Sequence, residues 1–552
     1  MASTRLRFIG ILGIGLLAGV VATLVMVLLM VAGRYWLGIS PPPEALPDRF
    51  APTISIERFF ELFDRFGGYN GLKKFGIKSG LTGLGVAGAV VGILYAIVVE
   101  SRRARAAAPW RGGFSRHGVG FVVATALVLW IGTIVVYWPV LATNYKGLPP
   151  SRARLATAGG LLIAYAAYGA VLILTYRFLT RRPTAVAVAD AETVSAAPAS
   201  APVLPATPVG RRAVLAAGAG AVLALPSYAL MKRLYDDATF PYDGRPYSGP
   251  GVQPITPNDK FYTVTKNVVD PDVTKRVWGL EIGGLVRNEK RYDFDDLAAL
   301  PAIEQETTLM CISNKTGAGL FSNAVWSGVP MRDILDAAGV KTGAVEVLLR
   351  GADGYSDTFA IDKAMDPATL VVYRMNGEPL PRSHGYPVRV IVPGLFGEKN
   401  VKWVTGIDVI DHDGKGFYET QGWGPNFEIP TRSDIFGPRW VRSGKGDNFV
   451  EPIKVNRATT IHGRAFGGAR GVSKVEFSTD NGENWQPARI DYPGTRLTWT
   501  FWSFDWRPTR TGDFTLVSRA TDGNGEPQIA ETRGIVPQGA TGYHRVKAKV
   551  VD

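Results

Sequence analysis

One cysteine occurs in 552 residues, Cys311, within Leu309-Met310-Cys311-Ile312-Ser313-Asn314. A lone thiol can form no intramolecular disulfide. In a polar stretch with glycines close behind, it can serve as a small buried hydrophobe, a nucleophile or a soft-metal ligand. Histidine is scarce too: His117, His384, His412, His462 and His544. A membrane cytochrome b needs paired axial histidines, and only His117 lies near a long apolar stretch, so no such haem is expected. With one cysteine, no c-type haem attachment motif can be written.

The elements that must position these residues divide sharply. Apolar stretches at 8–32, 81–99, 119–138, 155–176 and 213–230 approach the roughly 20 residues that cross a bilayer. The first is too long for a signal h-region and is followed by further spans, so it reads as an anchor. Arg102, Arg103, Arg105, Arg111 and Arg116 follow the second stretch, and Arg177, Arg181, Arg182, Arg211 and Arg212 follow the fourth. The bias toward cytoplasmic Lys and Arg then predicts a multi-pass cell-membrane protein with a cytoplasmic N-terminus and an extracytoplasmic domain after Leu230. Lys146, Arg152 and Arg154, ahead of the fourth stretch, dissent mildly. The net charge of +13 is mostly this topogenic signal. The soluble part shows no basic stripe with interleaved aromatics, so membrane lipid and not nucleic acid is the expected partner.

The expected organisation is multi-domain. A transmembrane region with four helices fills 1–182, and a flexible Ala/Pro/Val/Thr-rich linker fills 183–210. A fifth transmembrane helix follows at 211–231, then a proline-rich connector at 232–254. Gly210-Arg211-Arg212 ahead of the fifth helix is either an ordinary positive flank or an internal twin-arginine export signal. Residues 56–66, between the first two stretches, repeat apolar residues at helical spacing and predict a short interfacial helix, with partner docking as the lesser alternative. Residues 255–445 mix strand patterns (276–282, 344–350, 386–392) with helical ones (293–300, 331–338), an α+β domain. Residues 446–552 alternate with period two at 459–465, 472–478, 499–506 and 512–520, and predict an all-β immunoglobulin-like sandwich.

Five stretches, in order, resemble the sulfite oxidase family of molybdopterin enzymes. They are 255–267 (Ile-Thr-Pro-Asn-Asp-Lys-Phe-Tyr-Thr-Val-Thr-Lys-Asn), 309–315 (Leu-Met-Cys-Ile-Ser-Asn-Lys), 375–381 (Met-Asn-Gly-Glu-Pro-Leu-Pro), 384–394 (His-Gly-Tyr-Pro-Val-Arg-Val-Ile-Val-Pro-Gly) and 397–403 (Gly-Glu-Lys-Asn-Val-Lys-Trp). Residues 475–485 resemble the family's C-terminal domain, which implies a homodimer. The resemblance implies a molybdenum-molybdopterin cofactor with Cys311 as its metal ligand, since a soft, high-valent metal favours thiolate. It also implies that Lys266, Asn267, Asn314, His384, Arg389, Lys399 and Lys402 hold the pterin and its phosphate by charge-assisted hydrogen bonds. Taken singly, each of these has a bland role: a structural histidine, a paired arginine, a solvated lysine edge.

The departures bear on substrate. Animal and plant sulfite oxidases carry a second basic residue where this chain has Thr316. No arginine occurs in the aromatic strand 501–506, and Glu419, Gln421 and Trp423 occupy the region of the family's tyrosine. Lys315, Arg432 and Trp423 are therefore the expected lining of the substrate pocket. The resemblance implies oxygen-atom transfer on a small S- or N-containing substrate, with electrons exchanged with a separate cytochrome or membrane redox partner. The alternative is a membrane-bound binding scaffold that keeps the fold without the chemistry.

Overall fold

The computed structural model describes residues 2–105, 116–181, 208–238, 251–437, 440–442 and 448–552. Residues 183–207 of the expected linker at 183–210, the connector residues 239–250 and the arginine-bearing loop 106–115 lie outside the described residues, while residues 208–210 already belong to a helix, Pro208–Asp236. Two compact units divide the chain: Met1–Arg49, Phe66–Leu141 and Ala153–Asp237 in one, and Phe50–Arg65, Ala142–Arg152 and Ala238–Asp552 in the other.

The first unit is helical. Its long helices are α1 (Ala2–Ala32), α4 (Tyr69–Arg105), α5 (Arg116–Tyr137), α6 (Pro150–Thr180) and α7 (Pro208–Asp236), with the short α2 (Pro42–Phe50) after α1; the short α3 (Ile56–Phe66), between α2 and α4 in the sequence, belongs to the second unit up to Arg65. Five stretches, Ile9–Leu37, Asn70–Arg102, Arg116–Val140, Pro150–Thr180 and Gly210–Asp236, are long and apolar enough to cross a membrane. Glycines bring α1 and α4 together: a Cβ at Gly19 would fall 2.6 Å from the Gly88 carbonyl, and one at Gly15 2.7 Å from that of Gly92. Small residues four apart let two helix backbones approach closely in this way. The Tyr168 hydroxyl of α6 donates to the Gly88 carbonyl at 2.6 Å.

The second unit holds two sheets in its α+β part. The first, in order β2-β1-β10-β5-β6, joins β1 (Leu280–Gly284), β2 (Lys290–Tyr292), β5 (Glu346–Gly351), β6 (Ser356–Ala360) and β10 (Val404–Ile410); its β1–β10 pairing is parallel and the rest antiparallel. The second is antiparallel and joins β3 (Ile303–Met310), β4 (Phe321–Pro330), β7 (Leu370–Met375) and β8 (Glu378–Pro379), with β9 (Arg389–Ile391) on β7. Trp278, Leu280, Ile334, Leu335, Val347, Trp403 and Ile407 share the first core. The Asp293 carboxylate accepts from the Asp296 amide and so caps α8 (Phe294–Ala298); α9 spans Met331–Ala338 and ends at Gly339, φ 70°. The expected strand at 276–282 starts only at Leu280, because the Val277 and Trp278 amides turn back onto the Thr274 carbonyl. The one at 386–392 shortens to β9, since Pro387 has no amide to give a ladder.

The C-terminal part is a β-sandwich. One sheet orders β11 (Arg432–Ile435), β15 (Thr459–Phe466), β19 (Thr500–Trp506) and β18 (Arg489–Tyr492); the other is built on β16 (Val472–Ser478), β20 (Gly512–Asp522) and β21 (His544–Val551). Ile461, Val475, Phe477, Trp502, Leu516 and Val546 fill the space between.

Candidate functional site

Cys311 follows the last residue of β3 and begins a loop that returns to β4. The loop is tied at its neck: the Cys311 amide donates to the Leu320 carbonyl at 3.0 Å, the Asn314 amide to the Cys311 carbonyl at 3.0 Å, and the Leu320 amide to Asn314 Oδ1 at 2.9 Å. Cys311 is half-buried, and its Sγ shares a 3.1 Å hydrogen bond with the Ser313 hydroxyl. Beside it lies Gly397, whose missing side chain leaves room for the Tyr262 hydroxyl, 2.5 Å from where a Cβ would stand.

A first group of predicted residues gathers on this loop. Arg432, buried at the start of β11, donates from Nη1 to Met310 Sδ at 3.0 Å and from Nη2 to the Lys315 carbonyl at 3.2 Å. Lys315 itself is exposed. Trp423 is buried in one apolar cluster with Met310, Ile312 and Phe427, and Phe60 of α3 packs on it with ring centres 6.2 Å apart. Ile56 of the same helix is 5% exposed and lies in that cluster too. The expected helix at 56–66 is thus present, with its apolar side turned to this cluster.

A second group forms a cationic seat. Arg389 opens β9, fully enclosed, and donates to the carbonyls of His384 and Asn400, both at 3.1 Å. Lys402 Nζ donates to the Ser383 and Val264 carbonyls at 3.0 and 3.3 Å. Gly385, φ 109°, lies against the Cβ atoms of both. Lys266 Nζ donates to the Asp353 carbonyl at 3.0 Å, and Asn267 Nδ2 to the Asp353 carboxylate at 2.9 Å. Burial, then Arg389 and Lys402, push the His384 imidazole down to about 3. The ring is therefore neutral and donates from Nε2 to the Asn258 carbonyl, 3.1 Å away. Burial pulls Arg389 to about 10, which leaves it charged at neutral pH.

Lys399 stands apart from that seat. Its ammonium is held by the Asp357 carboxylate at 2.7 Å and the Glu419 carboxylate at 3.0 Å, over the Phe427 ring. Burial lowers its pKa, but Asp357 and then Glu419 more than offset this and hold it charged. Its positive charge is already balanced by these carboxylates.

Two residues that the motifs did not single out lie beside the loop. Arg464 of β15 pairs in register with Phe501 of β19, is 1% exposed, and donates to the Ala318 carbonyl at 2.8 Å. Its guanidinium lies 4.3 Å from the Phe321 ring centre. The family's missing arginine in the 501–506 strand thus has a neighbour of the same charge on the adjacent strand. The signal was an arginine on the outward parity of Thr459–Phe466, a face that ends in Phe466. The second residue is Glu398, whose two carboxylate oxygens are solvent-inaccessible, with the Glu398 and Ile312 backbone amides as their nearest donors. Burial raises it to about 8, opposed by the backbone amides and Lys399 and assisted by Asp357.

The donor set fits a molybdopterin. Among the described residues no group of three or more His, Cys, Asp or Glu is arranged to hold a metal. A metal at Cys311 must bring most of its ligands with it, as the pterin dithiolene does. Buried donors also stand without partners at Arg389 Nε, Asn314 Nδ2, Arg432 Nε and Trp423 Nε1. Buried polar groups are ordinarily hydrogen-bonded, so such a set marks a place for an absent ligand.

Comparison with known proteins agrees. Residues 267–418 match the family described as "Oxidoreductase molybdopterin binding domain", and 440–551 match "Mo-co oxidoreductase dimerisation domain". The mitochondrial sulfite oxidase of Drosophila melanogaster is 31% identical over 351 residues, 54% of this chain and 59% of that one. An NADH nitrate reductase of Hordeum vulgare is 31% identical over 307 residues, 46% of this chain and 33% of its own length. The chain thus spans 59% and 33% of the lengths of these two relatives. The crystal structure of the sulfane dehydrogenase SoxCD from Paracoccus pantotrophus aligns at TM-score 0.45 and 26% identity, covering 50% of this chain and 75% of that one. Residues 267–418 thus carry a molybdopterin-binding oxidoreductase domain and residues 440–551 a Mo-co dimerisation domain. The likeness to sulfite oxidase and the matched domain imply a molybdenum-molybdopterin cofactor.

Proposed function

We propose that the chain is a membrane-anchored molybdenum oxidoreductase that transfers an oxygen atom to or from a small S- or N-containing substrate outside the cytoplasm. The observation that carries this reading is the convergence of Arg432, Asn314 and Trp423 on the loop of the lone Cys311, beside the seat made by His384, Arg389, Lys402, Lys266 and Asn267. When bound, the cofactor supplies two-electron oxygen-atom exchange with water. The chain's own residues bind and orient. Arg389, Lys402 and Lys266 offer cationic donors to the phosphate of the pterin tail. Arg432 and Lys315 attract a polar or anionic substrate oxygen, and Trp423 walls the pocket. Glu398 holds a proton on its carboxyl at neutral pH. The two electrons pass to or from a separate cytochrome or membrane redox partner. The C-terminal domain makes a homodimer.

Chain topology supports the location. The second unit gathers the connection between the first two spans (50–65), the one between the third and fourth (142–152), and everything after the fifth. In any five-span chain these three segments share one side of the membrane. The arginines at 102 and 116, and at 177, 181, 211 and 212, flank the connections that take the other side, which the charge rule makes cytoplasmic.

The test is elemental mass spectrometry of the detergent-solubilised chain from a host that makes molybdopterin, followed by turnover of sulfite, S-oxides and N-oxides. Stoichiometric molybdenum, lost in Cys311→Ser, is expected. Metal-free protein from correctly inserted chain overturns the reading and leaves the binding scaffold.

A further inference from the structure

The connection between the third and fourth apolar helices is built into the molybdopterin domain. Thr143, Asn144 and Tyr145 are almost fully buried. The Asn144 amide donates to the Ala352 carbonyl at 2.9 Å. Asn144 Oδ1 accepts from the Lys146 and Leu148 amides at 3.0 and 3.3 Å, which closes the turn that presents it. The Thr143 hydroxyl occupies the space where a side chain on Gly354 would stand, and Gly354 has φ 77°. Farther along, Thr274 donates to the Lys146 carbonyl at 3.0 Å, Lys146 Nζ meets Asp272 at 2.5 Å, and the Ser151 amide donates to Glu281 at 3.2 Å.

Between the two docking points, Ala352 and Gly354, stands Asp353. Its carbonyl and carboxylate hold the Lys266 ammonium and the Asn267 amide, and its Oδ1 accepts from the Tyr355 amide at 3.0 Å. The Ala352 amide in turn donates to the Trp403 carbonyl at 2.9 Å, one residue past Lys402. One three-residue turn therefore links the inserted connection to Lys266, Asn267 and the Lys402 strand.

We infer that residues 142–152 are a positioning element of the cofactor seat: they fix the 352–354 turn, and through Asp353 they hold Lys266 and Asn267 on the phosphate of the pterin tail. This rests on the reading that those two residues grip the pterin. It goes beyond it by giving the connection between the third and fourth apolar helices a share in the cofactor site. Residues 238–552 alone make a looser seat. A group that orients a ligand through another residue can be worth 10–100-fold in affinity, as partners of metal-bound side chains are.

The experiment uses the full-length chain in detergent, loaded with cofactor, and follows molybdenum retained per chain by elemental mass spectrometry during incubation and repeated gel filtration. Asn144→Ala is expected to lose molybdenum roughly 10-fold faster than the parent. Asn144→Asp keeps an acceptor for the two amides and restores retention. Adding Asn144→Ala to Asp353→Ala speeds loss no further than Asp353→Ala alone. Lys146→Gln, which removes only the ion pair to Asp272, gives a smaller acceleration and carries the test if Asn144→Ala does not accumulate. Retention at the parental rate in the folded Asn144→Ala chain, or in Lys146→Gln where that is the variant tested, overturns the inference. A parent chain without molybdenum instead overturns the cofactor reading beneath it.

Discussion

The Arg464 guanidinium and the Asp434 carboxylate lie 3.7 Å apart behind the Cys311 loop, and both are about 2% exposed. Asp434 also lies 3.6 Å from Arg432 and accepts from the Gly317 amide at 2.9 Å. Burial alone would raise this carboxyl, but Arg432 and Arg464 more than offset it and hold it below its usual range. His544 packs on Gly317, accepts the Ile435 amide on Nδ1 at 2.9 Å, and is kept neutral by burial. Two buried cations thus share one anion, and all three are bonded to the loop or close against it.

Asp434→Asn leaves both guanidiniums uncompensated in a dry site. Removing one partner of a buried ion pair costs about 3–5 kcal/mol. A drop of that order in thermal or denaturant stability is expected. Arg464→Met fills much of the same space without charge and costs less; equal losses for the two would show that packing and not charge decides.

Arg432→Gln weakens the draw on an anionic substrate oxygen while leaving Cys311 in place. Molybdenum content stays at the parental value, and KM for an anionic substrate rises more than kcat falls. Loss of molybdenum in this variant would assign Arg432 to the cofactor instead.

Two buried groups predict opposite pH effects on the cofactor-free chain. His384 falls to about 3 in the fold from 6.5. Its contribution is therefore full above pH 6.5 and is lost as pH falls toward 3. Glu398 rises to about 8 from 4.5. Between those values the folded chain binds the extra proton, so stability falls as pH rises through 8. The two slopes oppose each other between pH 4.5 and 6.5, and the Glu398 fall stands alone above 6.5. Thermal midpoints across pH 4–9 check this: Glu398→Gln removes the alkaline fall and leaves the acid one.

Local signals carried much of this structure. A sustained apolar run is its own evidence, and α9 at Met331–Ala338 follows from four buried apolar positions at helical spacing before Gly339. Motif order alone singles out Cys311, His384 and Arg389. Residues whose roles depend on distant partners are not legible in this way. Arg464 meets a carbonyl 146 positions away. Nothing near Lys399 in the sequence shows that its ammonium meets Asp357 and Glu419, 42 and 20 positions distant. Nothing local in 142–152 announces that Asn144 belongs with Ala352. Burial raises Glu398, and burial is a property of the folded chain.

The α1–α4 crossing makes a test with an internal control. A side chain at Gly88 would run into the Thr23 hydroxyl, while Gly85, one turn earlier on the same helix, has nothing within 4 Å of its Cβ position. Thr23 cannot swing away freely, since its hydroxyl already donates to the Gly19 carbonyl at 2.8 Å. Gly88→Leu and Gly85→Leu change hydropathy equally, so any difference between them reports the close approach. Overpacking a tight contact costs about 1–3 kcal/mol. A lower midpoint for Gly88→Leu in detergent melts is expected, with Gly85→Leu unchanged. Matching midpoints would mean that the glycines do not hold the two helices together.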